Sequence, residues 1–299
     1  MQGARDRAGR ARGAAALSLL AVAATTLVAA SGSAVPASAE ASAADQAYRT
    51  AVRVARLGPR PATSVRERSA HRIALRAFAR AGLRTEVQRF TVPGRGPSRN
   101  AIGVYDSPRR CLRVVMAHAD STPAGSGAND NASGVGVVSA LAGRLRRARP
   151  ACDVWLVATG SEERVYTGSP DHLGALALAR RVRARGLNRR LRWALSLDEV
   201  GRGTSFWLRS PVSGPRRAVE VAIVRAARTT GTRVRWVRDE GTGNSDHREF
   251  ELLGLPGLKL GVGAAGEPCR HMACDRPSRL DPVSLRLARR ITERALTAR

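Results

Sequence analysis

Three short apolar runs, residues 112–117, 154–157 and 191–197, are each followed within a few residues by ionisable side chains: His118, the pair Glu162-Glu163, and Asp198. Apolar runs of this length bounded by polar turns read as buried strands. In an open α/β sheet the C-terminal strand ends line one crevice, so the pattern predicts that all three groups meet there. The segment after the first run, His118-Ala-Asp120 to Asp130-Asn131-Ala-Ser-Gly134, leads into small and apolar residues 135–145 that read as a helix. Asp130 then stands at a helix start facing the strand end that bears His118.

The remaining chain fits the same fold class. Residues 57–61 form a rigid turn and 65–81 a helix ended by Gly82; His71 on that helix reads as a surface histidine. Residues 83–91 suggest a partly exposed strand, and 101–105 with 112–117 read as two strands of a hairpin. A helix is expected from Gly168-Ser-Pro170 toward Arg183, with His172 at its start or on the surface. Further strands are expected at 205–208, 234–237 and 255–260, and helices at 219–229 and 282–297. No internal repeat or second domain is visible, so residues 57–299 are expected to form one domain.

The first forty residues read as an export signal. Arg5, Arg7, Arg10 and Arg12 precede an apolar stretch of residues 14–30, and Ala37-Ser-Ala39 supplies a small-residue cleavage site. The expected mature chain is secreted and extracellular, has no membrane-spanning segment, and starts near Glu40, with residues 40–56 as a loosely ordered lead-in. The formal charge of +27 would suggest a polyanion partner. Its source argues otherwise: Lys259 is the only lysine, and fifty arginines are spread over the whole chain. Removing the signal takes away four arginines and one aspartate, leaving about +24. Adhesion to an acidic envelope or polyanion remains a side property, with no specific nucleic acid expected and a monomer favoured. Cys111, Cys152, Cys269 and Cys274 allow two disulfides in three connectivities, of which local pairing is the simplest; a thiolate metal site is the weaker alternative.

Two adjacent carboxylates beyond a buried strand are costly unless they hold a proton or a metal. His118, Asp130, Glu163, Asp198 and His271 together supply two imidazoles and three carboxylates, the donors that zinc takes in hydrolases. Divided between two ions, they give each one histidine and one terminal carboxylate, with Asp130 shared. Two close metals activate a water and polarise a carbonyl, and Glu162 is left to move the proton.

Taken together, these segments resemble the M28 family of zinc aminopeptidases, in particular small secreted bacterial members without an inserted domain. The resemblance rests on His118-Ala-Asp120-Ser121, Gly127 to Gly134, Ser161-Glu162-Glu163 with Gly168-Ser169, Leu197-Asp198-Glu-Val-Gly201, Ser245-Asp246-His247 with Phe250 and Gly254-Leu-Pro256, and His271. It implies a three-layer α/β/α fold with a mostly parallel, mixed central sheet, and two Zn2+ per chain. It further implies that His118 and Asp198 hold one zinc, Glu163 and His271 the other, and that Asp130 bridges them. Glu162 is implied as general base and Asp120 as the aspartate that orients His118. Cys269 and Cys274 resemble a small disulfide loop that fixes the last ligand. Asp246, His247 and Phe250 are expected to shape the pocket, and His247 is the competitor of His271 as ligand. Three departures from the usual pattern bear on specificity: Ala119 between His118 and Asp120, Glu199 after Asp198, and Arg270 before His271.

The implied reaction is hydrolysis of the N-terminal peptide bond of peptides with a free amine. Alternatives within the family are carboxypeptidase, dipeptidase or one-zinc glutaminyl cyclase chemistry; outside it, a non-enzymatic envelope or polyanion binder.

Overall fold

The computed structural model describes residues 37–210, 217–238, 244–261 and 267–298. Nearly all of the expected export signal therefore lies outside the described residues. In chain order the elements are α1 (Ala37–Ala55), α2 (Val65–Arg80), β1 (Arg84–Val92), β2 (Gly96–Tyr105), β3 (Leu112–His118), α3 (Ser133–Ala148), β4 (Asp153–Thr159), α4 (Arg164–Thr167), α5 (Leu173–Ala184), β5 (Leu191–Asp198), β6 (Ser205–Ser210), α6 (Arg217–Thr229), β7 (Arg233–Arg238), α7 (His247–Leu252), β8 (Gly257–Gly261) and α8 (Pro282–Thr297). Among the described residues the strands form one eight-stranded sheet in the order β1-β2-β4-β3-β5-β8-β6-β7.

The sheet is mixed, and its centre is parallel. Strand β3 runs parallel to both β4 and β5, and β5 runs parallel to β8. Antiparallel pairing joins β1 to β2, β2 to β4, and β6 to β8. The apolar runs are buried on both faces because helices cover both. Val115 and Ala117 of β3 pack with α1, α2, α3 and α8 on one side. Val114 and Met116 point the other way, toward Leu178 and Val182 of α5 and Phe250 of α7. This is the expected three-layer arrangement, and it places the C-terminal ends of β4, β3 and β5 side by side, with His118 paired to Thr159 in register.

Three local expectations need correction. Strand β2 does not form a hairpin with β3. It pairs with β1 through the turn at residues 93–95, and β3 inserts between β4 and β5, because an apolar run without alternation suits a strand covered on both faces. Residues 40–55, expected as a loose lead-in, belong to helix α1. Ala47, Ala51 and Val54 are fully buried there, and Ala51 lies against Gly136 of α3, where a side chain on the glycine would strike Ala47 O and Ala51 Cβ. Small residues bring these helices together, so the absence of large apolar ones was misleading. His71 is also buried, on the same face of α2 as Ala70, Ala74 and Phe78, with Nε2 3.2 Å from Thr159 O.

Candidate metal centre

The strand ends present their polar groups as the apolar patterns foretell. His118 is the last residue of β3 and Asp198 the last of β5, and Glu162 and Glu163 follow Gly160 and Ser161 beyond β4. Asp130 lies in a single wide turn, Ala128–Ala132, ahead of α3, and the Asp130-Asn131 peptide is cis. His271 comes from the loop closed by the Cys269–Cys274 disulfide, and Cys111 pairs with Cys152. Both bridges are the local pairings.

At the centre, the two oxygens of Asp130 face different histidines. Oδ1 is 3.2 Å from His118 Nε2, and Oδ2 is 3.3 Å from His271 Nε2. His271 Nε2 is also 2.9 Å from Glu163 Oε2, and His118 Nε2 is 3.6 Å from Asp198 Oδ1. Among the described residues three donor groups result: His118–Asp130–Asp198 and Asp130–Glu163–His271, which share Asp130, and His118–Glu162–Glu163, which lacks it. Within each, the donor atoms lie within 4.8 Å of one another.

These residues fit divalent ions on grounds internal to the structure. Glu163 Oε1 and Asp198 Oδ1 are buried without a hydrogen-bond partner, although buried carboxylate oxygens are ordinarily satisfied. The carboxylates also repel one another. Burial and the Asp130 charge push Glu163 up to about 7 against the opposing effect of His271 and His118, and Glu162 is raised well above the usual range, first by burial. Burial opposes protonation of His118, but Glu162 and the adjoining aspartates outweigh it and raise the imidazole well above its ordinary value. Contacts with Asp130 and Glu163 push His271 up to about 10. A cluster that otherwise must hold protons is suited to cations.

The backbone around the donors is held by residues that the sequence did not single out. Arg60, in the turn before α2, is fully buried; its guanidinium donates to the carbonyls of Ala119 (2.8 Å), Gly127 (3.0 Å) and Ser126. It thereby ties the loop after His118 to the one that carries Asp130. The Asp275 carboxylate accepts the N–H groups of Asn129 (2.8 Å) and Asp130 (3.0 Å). Glu67 of α2 accepts the Ser161 N–H at 3.0 Å and the Ser98 hydroxyl at 2.9 Å, and burial pushes its carboxyl up to about 8. His118 Nδ1 lies 3.2 Å from the Asp120 carbonyl oxygen; the Asp120 carboxylate stands farther off, Oδ1 3.6 Å from that nitrogen and without a hydrogen-bond partner, while Oδ2 accepts the Glu163 N–H at 3.1 Å. Ser161, Glu199 and His271 all have positive φ, of 56°, 58° and 56°. Three strained residues beside the donors are the concentration of unusual backbone that functional sites display.

The cleft above the donors holds about 120 Å³ and is lined by Glu162, Arg164, Val165, His172, Asn244, Lys259 and Arg270, together with all the donors but His118. None of Asp246, His247 and Phe250, expected to shape the pocket, is among the residues that line it. Asp246 is buried and accepts the Thr159 hydroxyl at 2.5 Å, His247 is buried, and Phe250 belongs to the core under α5. Against expectation, His172 is buried beside Glu162 at the N-terminus of α5. Its neighbour in sequence, Asp171, keeps a polar appearance that conceals this. Lys259 is buried too, with Nζ 2.7 Å from Asp198 Oδ2. The sequence signal for it was a single lysine inside an apolar strand.

The profile of Peptidase family M28 matches residues 100–296. Among curated proteins, none matches the sequence. The fold is similar to that of BSAP, a zinc aminopeptidase from Bacillus subtilis, with a TM-score of 0.73 and 17% identity over 84% of this chain and 94% of the other. An aminopeptidase from Aneurinibacillus sp. strain AM-1 gives 0.73 and 17% over 84% and 92%. A glutaminyl cyclase from Tannerella forsythia gives 0.71 and 23% over 86% and 98%.

Proposed function

Because the chain belongs to Peptidase family M28, we propose that it is a secreted two-zinc aminopeptidase, hydrolysing the first peptide bond of substrates that carry a free amine. The observation that carries this reading is the division of Asp130 between His118 and His271, which supplies two adjacent metal positions with one shared carboxylate. His118 and Asp198 would complete one position, and Glu163 and His271 the other. Bound there, divalent ions would supply the Lewis acidity that polarises a carbonyl and makes water nucleophilic at neutral pH.

The chain's own residues do the rest. Glu162 faces the cleft without a place in the Asp130-centred donor groups, so it accepts the proton of the attacking water and returns it to the leaving amine. Burial raises its carboxyl, which favours holding that proton between the two transfers. Asp120 fixes the His118 ring and, through the Glu163 N–H, the backbone that joins base to donor. Export is supported by the two disulfides, and among the described residues no helix is long and apolar enough to cross a membrane.

The test is metal analysis of the purified protein together with turnover of free-amine, N-acetylated and C-amidated dipeptides before and after chelation. Chelator-sensitive release from free-amine substrates is expected. Equal hydrolysis of N-acetylated peptides would remove the aminopeptidase assignment, and cyclisation of an N-terminal glutamine in place of hydrolysis would assign cyclase chemistry.

A further inference from the structure

The chain has one lysine, and the fold buries it against a metal donor. Lys259 lies in β8, flanked in sequence by the buried Leu258 and Leu260, and pairs in register with Ser196 of β5. Only 4% of its side chain is exposed. Its ammonium is 2.7 Å from Asp198 Oδ2 and 3.9 Å from Glu199 Oε2. Glu199 is in turn paired with Arg270, whose Nε donates to Oε1 at 2.9 Å. Burying an ammonium is costly without such partners, and the 2.7 Å contact with Asp198 holds the lysine in place, while Glu199 is farther off and committed to Arg270.

The two donor groups of the centre are consequently unlike. In His118–Asp130–Asp198, one oxygen of Asp198 is committed to Lys259 and the other, Oδ1, is left facing His118. In Asp130–Glu163–His271, Glu163 is paired only with His271 among the described contacts, and its Oε1 is without a partner. A fixed positive charge on the second oxygen of a ligand drains negative charge from that ligand and repels a divalent ion directly, in a site where screening by water is weak.

We propose that Lys259 makes the two metal positions unequal: the Asp130–Glu163–His271 position fills tightly, and the His118–Asp130–Asp198 position is weakened by the buried ammonium. This rests on the two-position reading of the centre. The lysine is a positioning residue for charge, and it makes loading of the second position dependent on metal supply.

The test is titration of the metal-stripped full-length mature protein with Zn2+ by calorimetry and with Co2+ by absorbance. Two steps separated by about a hundredfold or more in affinity are expected for the native sequence. Lys259→Met should tighten the second step by at least about tenfold and leave the first within about threefold, while Lys259→Arg, which keeps the charge, should preserve the gap. Two native steps of equal affinity, or a gap that persists in folded Lys259→Met, would overturn the proposal. An independent readout does not need the variant to fold: with lysine labelled by 13C, the single Lys259 side-chain signal should move chiefly with the second equivalent, and a shift complete at the first overturns it. Failure to bind any metal would instead sink the metallopeptidase reading on which the proposal stands.

Discussion

His172 Nε2 lies 3.5 Å from Glu162 Oε1, so a buried imidazole stands directly behind the proposed general base. On its other side, Nδ1 is 3.0 Å from Glu249 Oε1. Burial lowers the His172 pKa to about 4, which keeps the ring neutral at working pH. A neutral ring that donates from Nδ1 to Glu249 presents Nε2 as an acceptor, and an acceptor there favours the protonated form of Glu162. His172→Ala should therefore lower the pKa of Glu162 and move the acid limb of the pH–rate profile to lower pH. A profile that falls in amplitude without shifting would assign His172 to packing alone.

Glu162→Gln keeps the shape of the side chain and removes its basicity. Turnover should fall by about 10²- to 10⁴-fold, the range for loss of a general base, with metal content and melting temperature retained. Activity close to that of the native enzyme would exclude Glu162 as the base.

Metal uptake should release protons. In the metal-free protein, hydrogen bonds to Asp130 and Glu163 raise His271 to about 10, and burial raises Glu163 to about 7. Ligation requires both groups without their protons. Affinity should accordingly strengthen as pH rises toward about 10, and calorimetry in buffers of different ionisation enthalpy should show net proton release. The same raised imidazole contributes stability to the metal-free fold that is fully present below its unfolded value of 6.5 and is lost as pH rises through about 10. Metal affinity independent of pH across that window would contradict the assignment of His271 as a ligand.

Arg60→Met removes the guanidinium that joins the loops after His118 and before Asp130, leaving buried carbonyls unsatisfied. A loss of at least about 3 kcal/mol is expected, several times that of an exposed arginine. Denaturant midpoints of Arg60→Met beside the exposed Arg76→Met measure the difference.

The disulfides should separate stability from metal binding. The bridge between Cys111 and Cys152 closes a loop with a sequence separation of 41 and that between Cys269 and Cys274 one of 5. Loop-closure entropy gives about 4 kcal/mol for the first and about 2 kcal/mol for the second. Serine pairs at 111 and 152 should thus lower the melting temperature more. Those at 269 and 274 should weaken metal binding more, because their loop carries His271.

The centre of the fold was legible because its physics is local. A strand buried on both faces must be largely apolar, and a polar group at its end must emerge at the crevice; residues 114–118, 154–163 and 193–198, Ser196 apart, obey both conditions. Of the proposed donors, His118, Glu163 and Asp198 stand at or just beyond the ends of these runs, whereas Asp130 and His271 come from loops outside them. What escaped notice was carried by residues whose partners lie far away in sequence. Arg60 resembles any of the other arginines until the loops at 119 and 127 fold around it. His71 and His172 each sit among polar neighbours, and their burial is decided by what packs above them. Helix α1 was missed because its contact with α3 depends on alanine and glycine, which give close approach without a strong apolar signal.

The burial of Lys259 has a practical counterpart at the surface. With the only lysine only 4% exposed and held by Asp198, every basic side chain described outside the core is a guanidinium or an imidazole. Acylating reagents that modify amines would find no exposed lysine on the folded protein and would be left with the α-amine of the chain. A single fluorophore or biotin coupled by amine chemistry would thus mark the first residue of the chain, and the labelled peptide would identify it.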